Sequence, residues 1–522
     1  MRHDVLVIGG GPVGLTSALL LAQQGLRVAV IEKQHTSRPS LGAVALDDEC
    51  LRIWQACGLE HDLDEDWEGG DIGAVMCEYL DGRGRPFIQL KQQESDLGYP
   101  QAVVIHLERI IEKLRRCVED HESIELFSGY TMVDLKQCEQ SVTIDCVGHN
   151  ERMISIRGAW AIACDGRTSA TREILGIQVE SKALKNPWLV VDFDDENQSG
   201  HAQFWCLPKK AIVTVPMPHG TRRIERMLPP NTDDSTILED ESLVRQLVSP
   251  AWDGALKAPI RAKAIMCFQS GIAQRWRSGR VFLAGDAAHQ TPPFAGQGLA
   301  TGLRDAANLS FKIAGVHQQW LSADVLDTYE IERRPHQERM IDLALRLGKI
   351  MAPGSRVRAM GLHSTIRALM TIPPIRRHMQ LRGAGTRPTI YDGFLSSGGM
   401  AGQYMPQPWV NTELSNRVRL DQLLGRRMTW IAIGDGDSPA ELDRSFLSHC
   451  DTMLVENQDF YDSDRLLQRR FGAGSLVLVR PDRVIHTHYP ASKASSLRTR
   501  NTPCLTTPSH HSQAPVSGAA LV

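Results

Sequence analysis

The chain has 522 residues, of which 42% are hydrophobic and 23% charged, and its formal net charge is −3. A chain of this length and composition predicts a soluble globular protein of roughly two or three domains. The near-neutral charge argues against a nucleic-acid-binding protein, which would need a clustered basic excess. The 11 cysteines include no C-x-x-C pair, so we expect reduced thiols, with neither a disulfide framework nor a metal site.

The N-terminal residues lead directly into an apolar stretch. They lack the charged, apolar and cleavage regions of a secretory signal. Every apolar run is shorter than the roughly 18 residues that a membrane span requires. We therefore expect a cytoplasmic protein with no membrane span and no nucleic-acid partner.

A nucleotide-binding fingerprint begins near the N-terminus. The β-branched run Val5–Ile8 predicts a buried parallel strand. The glycine-rich stretch Gly9–Gly14 follows as a G-x-G-x-x-G, and an Ala/Leu-rich helix is predicted over Leu15–Gln24. A second buried strand, Val28–Ile31, ends at Glu32. This order of strand, glycines, helix, strand and acid predicts dinucleotide binding, although it does not separate FAD from NAD.

Each position of the fingerprint has a physical reason. Gly9 permits a tight turn, Gly11 lets a pyrophosphate approach the backbone, and Gly14 allows close packing of helix on strand. The helix N-terminus presents unpaired N–H groups to the phosphates. The carboxylate of Glu32 stands at the distance that suits a ribose hydroxyl. The cofactor-binding residues predicted in this region are Gly9, Gly11, Pro12, Val13, Gly14, Glu32 and Lys33.

A second candidate turn follows a strand-like stretch, Ala159–Ala163. It contains Asp165 and Gly166, and Ser169 with Arg172 suggests the beginning of a helix. A carboxylate and a glycine at a strand end suit a turn against a nucleotide. A plain Asp-Gly turn is the alternative interpretation.

A third motif favours FAD. The predicted buried strand Arg280–Ala284 leads into Gly285 and Asp286, where a strand's carboxyl end faces a ligand crevice. Two prolines then stiffen the loop, and the stretch Gly296–Gly298 opens a long helix. Its backbone N–H groups suit the anionic edge of a reduced flavin. The cofactor-binding residues predicted from the second and third motifs are Asp165, Gly166, Gly285, Asp286, Pro293, Gly296, Gln297, Gly298 and Leu299.

Together the three motifs resemble those of the class A flavoprotein monooxygenases, and more closely of the 3-(3-hydroxyphenyl)propionate hydroxylases and their relatives. The likeness covers roughly residues 1–490. The further stretches that carry it are Asp47-Asp48-Glu49, Trp188–Asp192, Arg222–Glu225, Arg304–Leu309 and Tyr329–His336.

The resemblance implies an α/β fold similar to that of p-hydroxybenzoate hydroxylase. In such a fold a Rossmann-type FAD-binding domain carries an inserted β-sheet substrate domain, here followed by a thioredoxin-like C-terminal domain. We expect the FAD-binding domain and a helical extension over residues 1–180 and 270–390, and the substrate domain over 181–269. The thioredoxin-like domain would cover residues 400–490 and, without a C-x-x-C pair, would be redox-inert. The polar residues 491–522 predict a disordered tail.

The resemblance also implies roles for individual residues and shows where this chain departs from the family pattern. Glu32 would bind the adenosine ribose and Asp286 the ribityl chain, while Asp165-Gly166 would contact both FAD and NAD(P)H. The family usually has Arg at the position of Gly42, where Arg38 is the nearby candidate. It has a flavin-contacting Gln at the position of Leu107, and we include the nearby Arg109 among the predicted cofactor-binding residues.

The implied reaction is the hydroxylation of a phenolic or related small aromatic substrate with NAD(P)H and O₂, through a flavin C4a-hydroperoxide in a water-excluding site. A base would activate the phenol. His289, His106 and Tyr404 are nominal candidates, and the sequence selects none of them. Two alternatives remain: another FAD oxidoreductase, such as an epoxidase or a Baeyer–Villiger-type enzyme, and a degenerate non-catalytic flavin-binding protein, which Gly42 and Leu107 favour.

Other properties stay open at this point. Arg222 and Arg223 have two equal interpretations, as a recognition pair for a substrate carboxylate or as a solvated strand face. The sequence does not distinguish NADH from NADPH, identify the substrate, or decide whether the chain forms a homo-oligomer.

Overall fold

The computed structural model describes residues 3–35, 41–60, 67–68, 75–196, 200–232, 234–382, 387–396, 398–434 and 450–491. The expectations for Arg38 and for the tail from residue 492 onward concern residues outside these ranges.

Strands and helices alternate along the described chain. The strands are β1 (Val5–Ile8), β2 (Val28–Glu32), β3 (Ala45–Asp47), β4 (Trp67–Glu68), β5 (Val75–Leu80), β6 (Pro86–Lys91), β7 (Ala102–Ile105), β8 (Ile124–Ser128), β9 (Tyr130–Gln137), β10 (Val142–Gly148), β11 (Met153–Gly158), β12 (Trp160–Ala163), β13 (Val179–Ala183), β14 (Trp188–Asp194), β15 (Ala202–Trp205), β16 (Ile212–Met217), β17 (Thr221–Met227), β18 (Ile260–Met266), β19 (Gln269–Ala273), β20 (Arg277–Ser278), β21 (Val281–Leu283), β22 (His289–Gln290), β23 (Trp409–Val410), β24 (Val418–Arg419), β25 (Met428–Ile433), β26 (Cys450–Val455), β27 (Ser475–Val479) and β28 (Ile485–Tyr489). The α-helices are α1 (Pro12–Gln23), α2 (Asp48–Trp54), α3 (Leu107–Glu119), α4 (Ala170–Ile174), α5 (Asp234–Glu239), α6 (Glu241–Val248), α7 (Gly298–His317), α8 (Thr328–Met351), α9 (Arg356–Met370), α10 (Pro373–Arg382) and α11 (Leu466–Phe471).

A six-stranded sheet in the order β20-β21-β12-β1-β2-β8 forms the centre of the molecule. From β21 to β8 all neighbouring strands are parallel. Val5 and Val7 of β1 pack with the apolar residues of α1, whereas Leu6 and Ile8 pack on the opposite face with β9 and β10. Burial on both faces explains why β1 is apolar at every position. The expected α/β class is confirmed.

The parallel order places the carboxyl ends of β1, β12 and β21 next to one another. Each of these strands falls inside a run that the sequence predicted, and each is followed by one of the three candidate turns. Because ligands of open α/β sheets bind beyond the carboxyl ends of the strands, we expect the binding site at this edge of the sheet.

A seven-stranded sheet in the order β18-β14-β17-β16-β15-β5-β6 forms a second layer. One face of β14, with Leu189 and Val191, packs on α6 and its surroundings. The opposite face, which we call the inner face, includes Trp188 and Met227 and packs against Phe294. Strands β5 and β6 come from residues 75–91, outside the range 181–269 expected for this sheet, because β15 pairs in parallel with the distant β5.

A four-stranded mixed sheet, β26-β25-β27-β28, forms near the C-terminus. Strands β25 and β27 are buried at every position. Buried ion pairs join this region to the rest of the chain, with Arg52 2.6 Å from Asp421 and Arg480 2.8 Å from Glu332. Among the described helices, none combines the length and the apolar character needed to cross a bilayer.

Candidate cofactor and substrate site

In the first glycine turn, a side chain would collide with the backbone at two positions and would have free space at a third. Gly9 has φ +103°, and a Cβ there would lie 2.4 Å from the carbonyl oxygen of Cys164. A Cβ on Gly14 would lie 1.9 Å from the carbonyl oxygen of Gly9. A Cβ on Gly11, in contrast, would have no described heavy atom within 4 Å. Gly9 and Gly14 are therefore required by the turn itself, whereas Gly11 borders the space that a phosphate needs.

The N-terminus of α1 is free to bind an anion. Gly11 is its N-cap, no side chain caps it, and Pro12 occupies the first turn, which has no acidic residue. The carboxylate of Glu32 accepts hydrogen bonds from the backbone N–H of Gly10 at 2.6 Å and of Gln34 at 2.8 Å. These contacts hold Glu32 beside the loop, while the neighbouring Lys33 is exposed.

In the second turn, only one of the two carboxylate oxygens of Asp165 accepts hydrogen bonds from described residues. Oδ2 of Asp165 accepts hydrogen bonds from the backbone N–H and the hydroxyl of Thr171, at 3.0 and 2.8 Å. Oδ1 of Asp165 is buried and has no hydrogen-bond partner among the described residues. Gly166 has φ +79° and borders open space. A buried acceptor without a donor is costly, so this oxygen suits a donor supplied by a ligand.

The third turn leaves the carboxylate of Asp286 accessible at the carboxyl end of β21. The side chain of Asp286 is exposed to solvent, yet desolvation by the surrounding protein raises the pKa of its carboxyl, against the charges of His289 and Arg167. An accessible carboxylate at this place can accept a hydrogen bond from a ligand. Gly285, with φ +60°, makes the turn that places Asp286 there.

The structure brings the three turns together. Ala284 donates its backbone N–H to the carbonyl of Ala163 at 2.9 Å, which links the third turn to the second. Cys164 donates to the carbonyl of Ile8 at 2.7 Å, which links the second to the first. A Cβ on Gly285 would lie 3.2 Å from the side chain of Val13, which links the third to the first. The turns therefore form one continuous surface.

The start of α7 adds further open backbone. A 3₁₀ turn, Pro293–Ala295, leads to Gly296 in the left-handed conformation, φ +63°. A Cβ on Gly296 or Gly298 would have no described heavy atom within 4 Å. Gln297 is buried, and its side chain hydrogen bonds to Asp47 and Arg304. Leu299 is half-buried and packs on the apolar core. The open surface here therefore comes from the two glycines.

A buried charge network fixes the start of α7. Arg304 donates to Asp47 at 2.6 Å, to Gln297 at 3.0 Å, and also to Glu49. Burial raises the pKa of Asp47 to about 6 in spite of Arg304. For Glu49 desolvation acts to raise the pKa, but the charge of Arg304 and the hydrogen bonds to the carboxylate together lower it to about 2. Arg304 thereby ties α7 to β3 and α2. The sequence offered these residues only as stretches of family resemblance.

His289 has a structural role. Its Nε2 lies 2.5 Å from Oδ2 of Asp305, whose Oδ1 accepts a hydrogen bond from Arg333 at 2.9 Å. Asp305 also accepts the backbone N–H of Gly285 at 3.1 Å. The imidazole of His289 is only 1% exposed and is bound to a carboxylate that supports the third turn, so it is not accessible to a substrate.

Two other base candidates occupy different surroundings. His106 precedes α3 with its ring centroid 5.9 Å from that of His219, and desolvation lowers its pKa. Tyr404 lines a cleft of about 340 Å³ together with Glu49 and Asp482, and none of the residues of the three turns lines this cleft. Burial raises the pKa of Tyr404, which disfavours it as a base.

The positions that depart from the family pattern are also defined. Leu107 is buried in the core, so its side chain supplies no polar contact. Arg109, the predicted cofactor-binding residue nearest to Leu107 in the sequence, is exposed on the first turn of α3. At Gly42 the backbone carbonyl accepts a hydrogen bond from the guanidinium of Arg223.

Both interpretations of Arg222 and Arg223 were wrong. Each side chain is buried and ion-paired, Arg222 with Asp195 at 2.7 Å and Arg223 with Asp192 at 2.7 Å. A buried pair in β17 is neither a solvated strand face nor a cation available to a substrate carboxylate. The partners lie in or just after the neighbouring β14, which sequence spacing did not reveal.

These features fit FAD, because open glycines, uncapped helix N-termini and two incompletely paired carboxylates border one surface. Comparison with known proteins points the same way. A family model described as the FAD binding domain matches residues 2–344. A 3-(3-hydroxyphenyl)propionate/3-hydroxycinnamic acid hydroxylase of Klebsiella pneumoniae subsp. pneumoniae is 30% identical over 441 residues, which are 83% of this chain and 78% of that protein.

A second relative covers more of the chain. The corresponding hydroxylase 2 of Burkholderia vietnamiensis is 29% identical over 515 residues, 93% of both proteins. Among solved structures, the flavin-dependent monooxygenase PieE, in complex with FAD and substrate, superposes with a TM-score of 0.78 over 95% of this chain and 98% of PieE, at 20% identity. The relatives favour a hydroxylase over the other FAD enzymes and over a non-catalytic protein. The chain belongs to the FAD-dependent aromatic hydroxylases, the monooxygenase family that includes the 3-(3-hydroxyphenyl)propionate hydroxylases.

Proposed function

We propose that this chain hydroxylates a phenolic compound with NAD(P)H and O₂, and that its three glycine turns hold the FAD. The observation that carries the proposal is the contact of the turns with one another at the carboxyl ends of β1, β12 and β21. When bound, FAD accepts hydride from NAD(P)H and delivers one oxygen atom of O₂ to the ring.

Each turn binds a different part of the cofactor. The free N–H groups at the start of α1 bind the pyrophosphate next to Gly11, and Glu32 accepts a hydrogen bond from the adenosine ribose. Asp286 binds the ribityl chain. Asp165 offers its unpartnered Oδ1 to FAD or to the passing NAD(P)H.

The N-terminus of α7 serves the reactive end of the cofactor. Gly296 and Gly298 leave room for the ring system to approach the backbone, and the positive end of the helix dipole stabilises its anionic edge when reduced. The buried pairing of Arg304 with Glu49 and Asp47 keeps this helix end in place. A fixed dipole costs no reorganisation during the reaction.

The substrate binds between the α7 start and the inner face of the seven-stranded sheet. Phe294, from the turn before α7, contacts Trp188 of that face with ring centroids 5.8 Å apart. Apolar walls of this kind exclude water, which a monooxygenase site requires. We assign the two sheets to a Rossmann-type FAD-binding domain and a substrate domain as in p-hydroxybenzoate hydroxylase, and residues 400–490 to a thioredoxin-like domain.

The printed names of the relatives suggest the substrate class. They act on 3-(3-hydroxyphenyl)propionate and 3-hydroxycinnamic acid, and we propose a hydroxyphenyl compound for this chain as well. At about 30% identity we extend to this chain the aromatic ring and its hydroxyl group, and not the acid side chain of the relatives' substrates.

The test is a screen of substituted phenols with the FAD-loaded protein. We expect some of them to stimulate NAD(P)H oxidation, with one atom of ¹⁸O from ¹⁸O₂ found in the product by mass spectrometry. Bound FAD without phenol-stimulated oxidation would favour a non-catalytic flavin protein. Oxidation that yields an epoxide or a lactone would favour the other FAD enzymes. The Gly11→Ala variant, which cannot seat the pyrophosphate, is the matched control.

A further inference from the structure

One carboxylate on the inner face, that of Glu225, has no hydrogen-bond or ion-pair partner among the described residues. Glu225 lies in β17 opposite Val190 of β14 and Val213 of β16. Because alternate residues of a strand face the same side, Glu225 shares its face with Arg223 and Met227. Its position is therefore between a buried ion pair and an apolar cluster.

This face is turned toward the start of α7. Met227, Trp188 and Val213 belong to one apolar cluster, against which Phe294 packs. Phe294 belongs to the 3₁₀ turn that ends at Gly296. Glu225 is two residues from Met227 along the strand, so it stands on the sheet face that borders the proposed substrate space.

The carboxylate of Glu225 makes no hydrogen bond or ion pair with any residue in the described ranges, although it is only half-exposed. The charged groups that act on it are Arg223 and Asp192. Asp192 already binds Arg223 through both of its oxygens, at 2.7 and 2.8 Å. The segment 292–298 has no ionisable side chain. Desolvation raises the pKa of Glu225 in spite of Arg223.

The side chain of Glu225 is half-exposed on this face, so an O–H group of a ligand can reach its oxygens and donate a hydrogen bond to them. Arg222 and Arg223 of the same strand are already neutralised by carboxylates, so they do not attract the acid group of a ligand. The chemistry of this part of the face selects a hydrogen-bond donor.

We propose that Glu225 binds the ring hydroxyl of the substrate and accepts its proton. The O–H bond of the phenol breaks, the proton moves to a carboxylate oxygen of Glu225, and the electron pair stays on the phenolic oxygen. The phenolate is richer in electrons at its ring carbons, which favours attack on an electrophilic oxygen. The proton leaves Glu225 again when product is exchanged for new substrate. This inference rests on the proposed function.

The experiment compares the FAD-loaded wild type with Glu225→Gln, which keeps the shape of the side chain and removes its basicity. Glu180→Gln, an exposed position in β13, is the matched control. The probes are 3-(3-hydroxyphenyl)propionate and 3-phenylpropionate, which differ only in the ring hydroxyl, and their dissociation constants are measured from the change in flavin absorbance.

We expect the wild type to bind the hydroxylated probe more tightly, by about tenfold or more, as for a hydrogen bond to a charged group. Glu225→Gln should reduce this preference several-fold, because its amide oxygen is an uncharged and weaker acceptor, and should keep the affinity for 3-phenylpropionate. The wild-type kcat/KM for the phenol should fall as the pH drops through the raised pKa of Glu225, and the variant should lose this dependence.

The outcomes separate the two proposals. If the wild type hydroxylates phenols but Glu225→Gln keeps the preference and the pH profile, the role of Glu225 is wrong and the hydroxylase remains. If the FAD-loaded wild type turns over no phenol, both proposals fail. Loss of flavin from Glu225→Gln would place the residue at the cofactor and also overturn the inference.

Discussion

Val13 in the first glycine turn lies against Gly285 in the third, so closely that a Cβ added to Gly285 would come within 3.2 Å of its Cγ2. Gly302 of α7 contacts the same side chain, where a Cβ would lie 2.6 Å away. One valine therefore separates two turns that are far apart in the sequence. The contact fixes the width of the surface on which we place FAD.

Gly11 and Gly14 should respond differently to alanine. Gly11→Ala adds a methyl group in open space at φ −77°, which any residue adopts, so the unfolding midpoint should stay near that of the wild type. FAD affinity should drop, because the methyl group occupies the path of the pyrophosphate. Gly14→Ala collides with the carbonyl of Gly9 and should lower thermal stability even without FAD. Calorimetry of the apoproteins and FAD titration separate the two effects.

Asp286 and Glu32 should differ in their effect on flavin content. Asp286→Ala should purify with little FAD, because the carboxylate that binds the ribityl chain is lost. Glu32→Ala should weaken FAD binding less, by about 1–3 kcal/mol, since one charged hydrogen bond is lost. The ratio of flavin to protein absorbance after gel filtration measures both. Full FAD occupancy in Asp286→Ala would contradict its assigned role.

Asp305 should be important for stability. Asp305→Asn leaves Arg333 and His289 without their buried carboxylate, and breaking such a pair costs about 3–5 kcal/mol. The charges of His289 and Arg333 outweigh desolvation and lower the pKa of Asp305. A lowered pKa stabilises the fold above the pKa of the unfolded state, and this stabilisation is lost as the pH falls through the folded-state value.

Urea unfolding of the Asp305→Asn variant should therefore show a lower free energy at neutral pH and a weaker loss on acidification than the wild type. Asp324→Asn, at an exposed position, is the control and should follow the wild type. Equal stability of Asp305→Asn and wild type would show that the network contributes nothing.

The pair of Arg223 and Asp192 should be coupled. Arg223→Met and Asp192→Asn each leave one buried charge unpaired and should cost about 3–5 kcal/mol in the free energy of unfolding. The double variant removes both charges and should cost less than the sum of the single changes. Strict additivity in this double-mutant cycle would mean that the two side chains do not interact.

The glycine turns were predictable because all their information is local. A buried strand, a glycine turn and a helix follow one another within about 20 residues at Val5–Gln23, and the strand ends bring the turns together through parallel pairing alone. The ion pair of Arg304 with Glu49, which supports the start of α7, was not predictable from spacing. Its two partners come from α7 and α2 and meet only in the folded chain.

The substrate side was harder to predict for a similar reason. The alternation of β17 shows that Arg223 and Glu225 share a face, but the sequence does not say which face is buried or what covers it. The parallel pairing of β15 with β5 is equally non-local, so no local pattern indicates that residues 75–91 belong to the second sheet.

An experimental structure of the FAD complex tests the central claim most directly. We predict one FAD whose pyrophosphate lies at the backbone N–H groups next to Gly11, whose ribityl chain reaches Asp286, and whose ring system stands at Gly296–Gly298. An FAD that contacts only the first turn, with Asp165 and Asp286 directed into separate cavities, would contradict the account.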